Sequence, residues 1–175
     1  EIIPSVKNMT KYAVMLKDPL EVKRELYKAI DIALSGRRGP VWLDVPLDIQ
    51  SAIVEEDEMY SYKKDIEVPS ATDDDVEFII KKLAEAKRPV VLAGNGIVNS
   101  GNLKAFREFI LKLDIPVIDA CIAADAMYMD YSKYYGLSGS IGPRTGNFIV
   151  QNADVILSIG CNLGFKMTGF AQDKF

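Results

Sequence analysis

The residues of this chain best suited to chemistry are glycines that follow short apolar runs. Gly94-Asn95-Gly96 closes Val90-Val91-Leu92-Ala93, and Gly160-Cys161-Asn162-Leu163-Gly164 closes Asp154 to Ile159. A third cluster, Gly136-Leu137-Ser138-Gly139-Ser140-Ile141-Gly142, lies between them. In open α/β sheets ligands lie beyond the carboxyl ends of the strands, where glycine lets the backbone approach and helix N-termini offer N–H groups to phosphate. Tight strand-to-helix turns need glycine as well, and neither pair completes a G-x-G-x-x-G fingerprint. Three clusters on one sheet edge point toward a nucleotide-like ligand.

Other residues carry less. Arg37 and Arg38, within Gly36-Arg37-Arg38-Gly39-Pro40, read either as a solvated turn or as a diphosphate fork, which arginine makes with two parallel hydrogen bonds. Asp44 and Asp48 flank Pro46 and suit a strand end with a following cap better than catalysis, having no evident base or metal ligand beside them. Histidine is absent, which removes the commonest general base and transition-metal ligand. Cys121 and Cys161 lack the spacing of a zinc knuckle or redox pair and read as small buried apolar residues in a reducing cytoplasm.

The 175 residues, 49% hydrophobic and 26% charged, have the balance of a folded domain, or of one domain with part of another. A net charge of −4 without long basic runs excludes a nucleic-acid footprint. No apolar stretch approaches the ~20 residues of a membrane span, and the start carries no signal-peptide pattern. A beginning at Glu1-Ile2-Ile3-Pro4 without methionine, and an end at Asp173-Lys174-Phe175 after a glycine-rich stretch, read as a piece cut from a longer chain.

The elements that must position these residues follow from periodicity. Pro19 to Leu34 is predicted as a helix capped by Asp18 and stopped by Gly36, and Pro40 to Pro46 as a strand buried on both faces. Residues 51–71, with Glu55-Glu56-Asp57-Glu58 and Lys63-Lys64-Asp65, lack a period and read as a linker. After Thr72 an amphipathic helix carries Val76, Ile79, Ile80 and Leu83. Strand Val90–Ala93, helix Asn102–Leu113, strand Ile115–Asp119 and strand Asp154–Gly160 follow. Residues 120–147 are expected to be mostly loop, with a helix starting near Gly146. The rhythm predicts an α/β fold: a parallel sheet with helices on both faces.

The stretch from Ser35 to Gln50, Ser-Gly-Arg-Arg-Gly-Pro-Val-Trp-Leu-Asp-Val-Pro-Leu-Asp-Ile-Gln, resembles the end of the pyrimidine-binding domain of thiamine-diphosphate-dependent enzymes of the acetolactate synthase type. Val6 to Tyr12 is similar to that family's approach to the preceding helix. Lys87 to Ile97, Ile115-Pro116-Val117, Tyr135 to Gly142 and Asp154 to Gly169 resemble its Rossmann-like central domain, in order. The resemblance divides the chain into residues 1–50, the C-terminal part of the pyrimidine-binding domain, a linker at 51–71, and a truncated central domain at 72–175.

The resemblance implies a cytoplasmic parent enzyme, a homodimer or homotetramer, that joins or cleaves small 2-oxo acids with thiamine diphosphate and Mg²⁺ bound between domains of different subunits. The family's activating glutamate would precede Glu1, and no Gly-Asp-Gly…Asn motif follows Gly169, so the chain by itself is expected to be inert, with no catalytic or metal-binding residue. Such central domains hold FAD as a structural cofactor. Its contacts carry over to Arg37, Gly94, Gly96, Gly139, Ser140, Gly142, Gly160, Asn162 and Lys166. The pattern departs at Asn162, where the family has arginine, at Phe165, where it has an acid, and at Ile141, where it has histidine. FAD, another adenine nucleotide or an empty pocket are the alternatives. The rival reading is a stand-alone nucleotide-binding or regulatory module.

Overall fold

The computed structural model describes residues 1–64 and 69–170, which fall into two compact units, Glu1–Ser70 and Ala71–Phe175. Asp65 of the expected linker and the terminal Asp173-Lys174-Phe175 lie outside the described residues.

The first unit runs α1 (Ile3–Val6), β1 (Tyr12–Met15), a 3₁₀ turn (Pro19–Glu21), α2 (Val22–Leu34), β2 (Val41–Asp44) and α3 (Leu47–Ser51). β1 and β2 are parallel, with Tyr12 opposite Val41 and Met15 opposite Asp44. The expected start of α2 is built as read: Asp18 accepts from the Leu20 N–H at 2.9 Å and Pro19 opens the turn. At its other end Gly36 takes φ +51°, and Lys11 Nζ donates to the carbonyls of Ile32 and Ser35 at 2.5 and 2.7 Å, placing a cation on the negative end of the helix. Leu16 is buried, as are Ala29 and Glu25 of α2, and Glu25 accepts from the Tyr12 hydroxyl and pairs with Arg24.

One expectation for this unit fails. β2 is not buried on both faces: among the described residues its sheet has two strands, and Trp42 is 42% exposed. The segment read as linker begins by lying on α2: the Tyr60 N–H donates to Leu20 O, Lys23 pairs with Glu56 at 3.0 Å, and Lys64 pairs with Asp31 at 3.5 Å.

The second unit contains α4 (Asp73–Glu85), β3 (Pro89–Ala93), α5 (Gly96–Asn99), α6 (Leu103–Leu113), β4 (Val117–Asp119), β5 (Tyr134–Leu137), α7 (Arg144–Asn152) and β6 (Val155–Ile159). Its sheet is parallel throughout, in the order β5-β4-β3-β6. Val91, Ala93 and Val117 pack against Ile97, Phe106 and Ile110 on one face, and Val90, Leu92 and Ile118 meet Val150 on the other. Helices thus cover both faces, as the alternation of elements requires.

One element departs from the reading of the sequence, and another is the expected helix with a packing that the sequence left open. β5 lies inside the expected loop, where Gly136 and a register shift opposite Val117 and Asp119 break the apolar alternation that marks a strand. α4 is helical, with a capping box between Thr72 and Asp75, but no residue of its apolar stripe is buried.

Candidate functional site

The carboxyl ends of β3, β4, β5 and β6 gather the sequence-singled residues of the second unit at one edge. Gly94 and Gly96 leave β3, Gly160 leaves β6, and the segment Ser138 to Gly142 leaves β5 toward α7. Arg37 belongs to the first unit, where it is exposed next to the left-handed Gly36. Asp44 ends β2 and Asp48 lies in the first turn of α3.

The glycines are required by close approach. A Cβ on Gly94 would stand 2.2 Å from the Gly160 carbonyl oxygen, and one on Gly96 would stand 2.8 Å from Gly160 Cα. Gly160 itself has φ +66°. At the end of β5, a Cβ on Gly139, at φ +90°, would lie 2.9 Å from Lys166 O, and one on Gly142 would lie 2.5 Å from Ser138 Cα. Each missing methyl is replaced by the chain's own backbone.

The N–H groups of Gly94, Gly96, Gly139 and Gly142 are engaged too. Gly94 N donates to Ile159 O at 2.8 Å and Gly96 N to Gly160 O at 2.9 Å. Ser140 N donates to Lys166 O and Gly142 N to Gly139 O, both at 3.0 Å. Gly139 N donates to Asn147 Oδ1 at 2.8 Å, while Asn147 Nδ2 donates back to Gly139 O and Gly142 O, each at 3.1 Å. A dinucleotide diphosphate needs such donors unspent. These five N–H groups are therefore not free for a dinucleotide diphosphate.

The rim mixes apolar and polar residues. Ile141 is exposed, Phe165 and Phe170 stack at 6.1 Å between ring centroids, and Lys166, Asn162, Ser140 and Gly160 are solvent-facing. Beside Gly96 and Gly160 a depression of about 400 Å³ is lined by Ile97, Phe106, Phe109 and Ile159. Cys161 is half-buried, as a small core residue would be, but Cys121 is exposed in the turn after β4, contrary to its reading as buried.

The sequence reading missed two residues of this edge. Asn147 is the last residue of the segment expected to be mostly loop, and nothing local marks its role. Asp119 ends β4 and is 0% exposed, its Oδ2 accepting from the Tyr134 hydroxyl at 3.1 Å and its Oδ1 unpartnered. Burial pushes its carboxyl up to about 7, and Asp125 adds to this, while Tyr134, the Met127 N–H and Arg107 work against it. A lone acid at the end of an apolar strand was the available signal. Arg107 donates to the carbonyls of Ala126 and Asp125 at 3.0 and 2.6 Å, holding the loop above Asp119. Among the described residues no group of three or more potential ligands could hold a metal ion, and no helix is long and apolar enough to cross a membrane.

Comparison with known proteins agrees with this architecture. The acetolactate synthase isozyme 2 large subunit of Escherichia coli K12 is 30% identical over 161 residues, covering 91% of this chain and 29% of that protein. The acetolactate synthase large subunit of Lactococcus lactis is 30% identical over 154 residues, covering 87% of this chain and 27% of its own length. Glyoxylate carboligase of Escherichia coli O157:H7 is 29% identical over 167 residues, covering 95% of the chain and 27% of that protein. The chain thus spans less than a third of these relatives. Residues 76–175 match the family described as thiamine pyrophosphate enzyme, central domain, and with its parallel sheet and glycine-closed strand ends the chain belongs to that family.

Proposed function

We propose that this chain is part of a thiamine-diphosphate-dependent carboligase or decarboxylase of 2-oxo acids, similar to acetolactate synthase. It contributes the end of a pyrimidine-binding domain, a linker and the central domain. The observation that carries the reading is the match of residues 76–175 to the central domain of thiamine pyrophosphate enzymes, supported by acetolactate synthases and a glyoxylate carboligase among the relatives. When bound, thiamine diphosphate with Mg²⁺ supplies a thiazolium that stabilises the carbanion formed from the 2-oxo acid. In this reading the chain's own residues take no part in that step, because they include no Gly-Asp-Gly…Asn segment. Its role is to hold the flanking catalytic domains on a rigid parallel sheet. The parent works in this reading as a cytoplasmic homodimer or homotetramer.

The test is activity with and without the rest of the gene. The protein extended through its flanking reading frame is expected to release carbon dioxide from a 2-oxo acid only with thiamine diphosphate and Mg²⁺. The 175-residue chain is expected to release none above a protein-free control. Cofactor-independent turnover by the extended protein, or turnover by the chain alone that survives repurification, would overturn the proposal.

A further inference from the structure

A nucleotide crevice must keep N–H donors free and glycine faces bare for the phosphates. Here the N–H groups of Gly94, Gly96, Gly139, Ser140 and Gly142, and the faces of Gly94, Gly96, Gly139 and Gly142, are taken up within the protein. On the β3 and β6 side, the carbonyls of Ile159 and Gly160 take the N–H groups of Gly94 and Gly96, and the Gly160 backbone fills the space above both glycines. On the β5 and α7 side, Lys166 O takes the Ser140 N–H, while the Asn147 amide, from the second turn of α7, accepts from Gly139 N and donates to the carbonyls of Gly139 and Gly142. A side-chain amide with one acceptor and two donors closes the glycine loop on itself. The remaining rim offers the exposed ring of Phe165, the exposed Ile141 and the cation Lys166.

We propose that the strand-end crevice of this central domain is closed from within, with Asn147 and the carbonyls of Gly160 and Lys166 occupying the positions a dinucleotide would otherwise bridge, so that the domain is a cofactor-free spacer. Asn147 is a positioning residue in this arrangement: it fixes the loop between β5 and α7 by satisfying both ends of it. The consequence is that order at this edge comes from the fold and does not respond to nucleotide.

The experiment uses the full 175-residue chain titrated with FAD and with ADP, followed by flavin fluorescence and by thermal melting, alongside amide exchange of Gly139 and Ser140. Expected are dissociation constants weaker than about 1 mM, no rise of Tm with either nucleotide, and slow exchange of both amides. Asn147→Ala is expected to lower Tm by roughly 2–10 °C and to speed exchange of Gly139 by tenfold or more, with no rescue by nucleotide. Should Asn147→Ala fail to fold, the wild-type titration and exchange rates decide. A micromolar constant for either nucleotide, a nucleotide-dependent rise in Tm, or free exchange of Gly139 in the wild type would overturn the inference. The assignment of residues 76–175 to the thiamine pyrophosphate enzymes would stand in each case.

Discussion

Asp119 shows how a single residue can set the pH response of a domain. An ordinary aspartate titrates near 3.8, whereas burial holds this one at about 7, so the folded state binds a proton that the unfolded chain has already released. Stability contributed by the protonated form is complete below about pH 4, declines as pH rises toward 7, and is lost above it. Asp119→Asn keeps the shape and cannot ionise. It is expected to match the wild type at pH 4 and exceed it by ~1–3 kcal/mol at pH 8 in urea unfolding, flattening the profile between. Equal slopes for the two proteins across that range would refute the assignment. Gly94 supplies a second test at this scale. Gly94→Ala puts a methyl 2.2 Å from a backbone carbonyl that cannot rotate away, and is expected to cost ~3 kcal/mol or more. Gly101→Ala meets open space and bears only the strain of φ +76°, expected at ~1–2 kcal/mol. Thermal or urea melts of the pair measure the difference.

At the scale of elements, α4 and α6 have the same pattern and different fates. Both carry an apolar stripe, and both start after a polar residue. α6 buries Phe106 and Ile110 against the sheet, while α4 buries none of Val76, Ile79, Ile80 or Leu83. Most helical stability comes from such burial, because propensity alone leaves a helix of this length marginal. Amides of α4 are therefore expected to exchange faster than those of α6 by at least tenfold, approaching local opening free energies of ~1–2 kcal/mol. Thr72→Ala removes one arm of the capping box, worth ~1 kcal/mol, and should accelerate α4 exchange further without moving α6. Hydrogen exchange with fragment resolution reads both outcomes. Equal protection of the two helices would show that packing of α4 exceeds what its exposed residues indicate.

Over the whole molecule the distribution of apolar surface is the informative feature. The faces that meet the parallel sheet of the second unit are closed, yet Leu26, Ile30 and Leu34 along α2, Trp42 on β2, and Phe78 with Ile80 on α4 remain solvent-facing. β6, Val-Ile-Leu-Ser-Ile, carries no charge and pairs only with β3 among the described residues. Uncharged edges and contiguous apolar stripes promote association. The chain is expected to elute from a sizing column at an apparent mass that rises with concentration, and Ile80→Lys together with Leu34→Lys should reduce that rise. A concentration-independent monomer with the wild-type sequence would show that these surfaces are innocuous.

The fold was legible where information is local. Asp18, Pro19 and Gly36 mark α2 because caps and stops act on adjacent backbone groups, and the strands β3, β4 and β6 follow from apolar runs ending in glycine or aspartate. The parallel order of elements follows from their alternation. β5 was hidden because its glycine and shifted register erase the period, and the exposure of Trp42 and of the α4 stripe was hidden because burial depends on what lies across from a face. The candidate site divides the same way. That glycines gather at one sheet edge can be read from the chain, but whether they leave donors for a ligand cannot. Gly96 spends its N–H on Gly160, Ser140 on Lys166, and Gly139 on Asn147. A hydrogen bond can be spent once, and which partner takes it is settled only when the packing of the sheet brings the turns together.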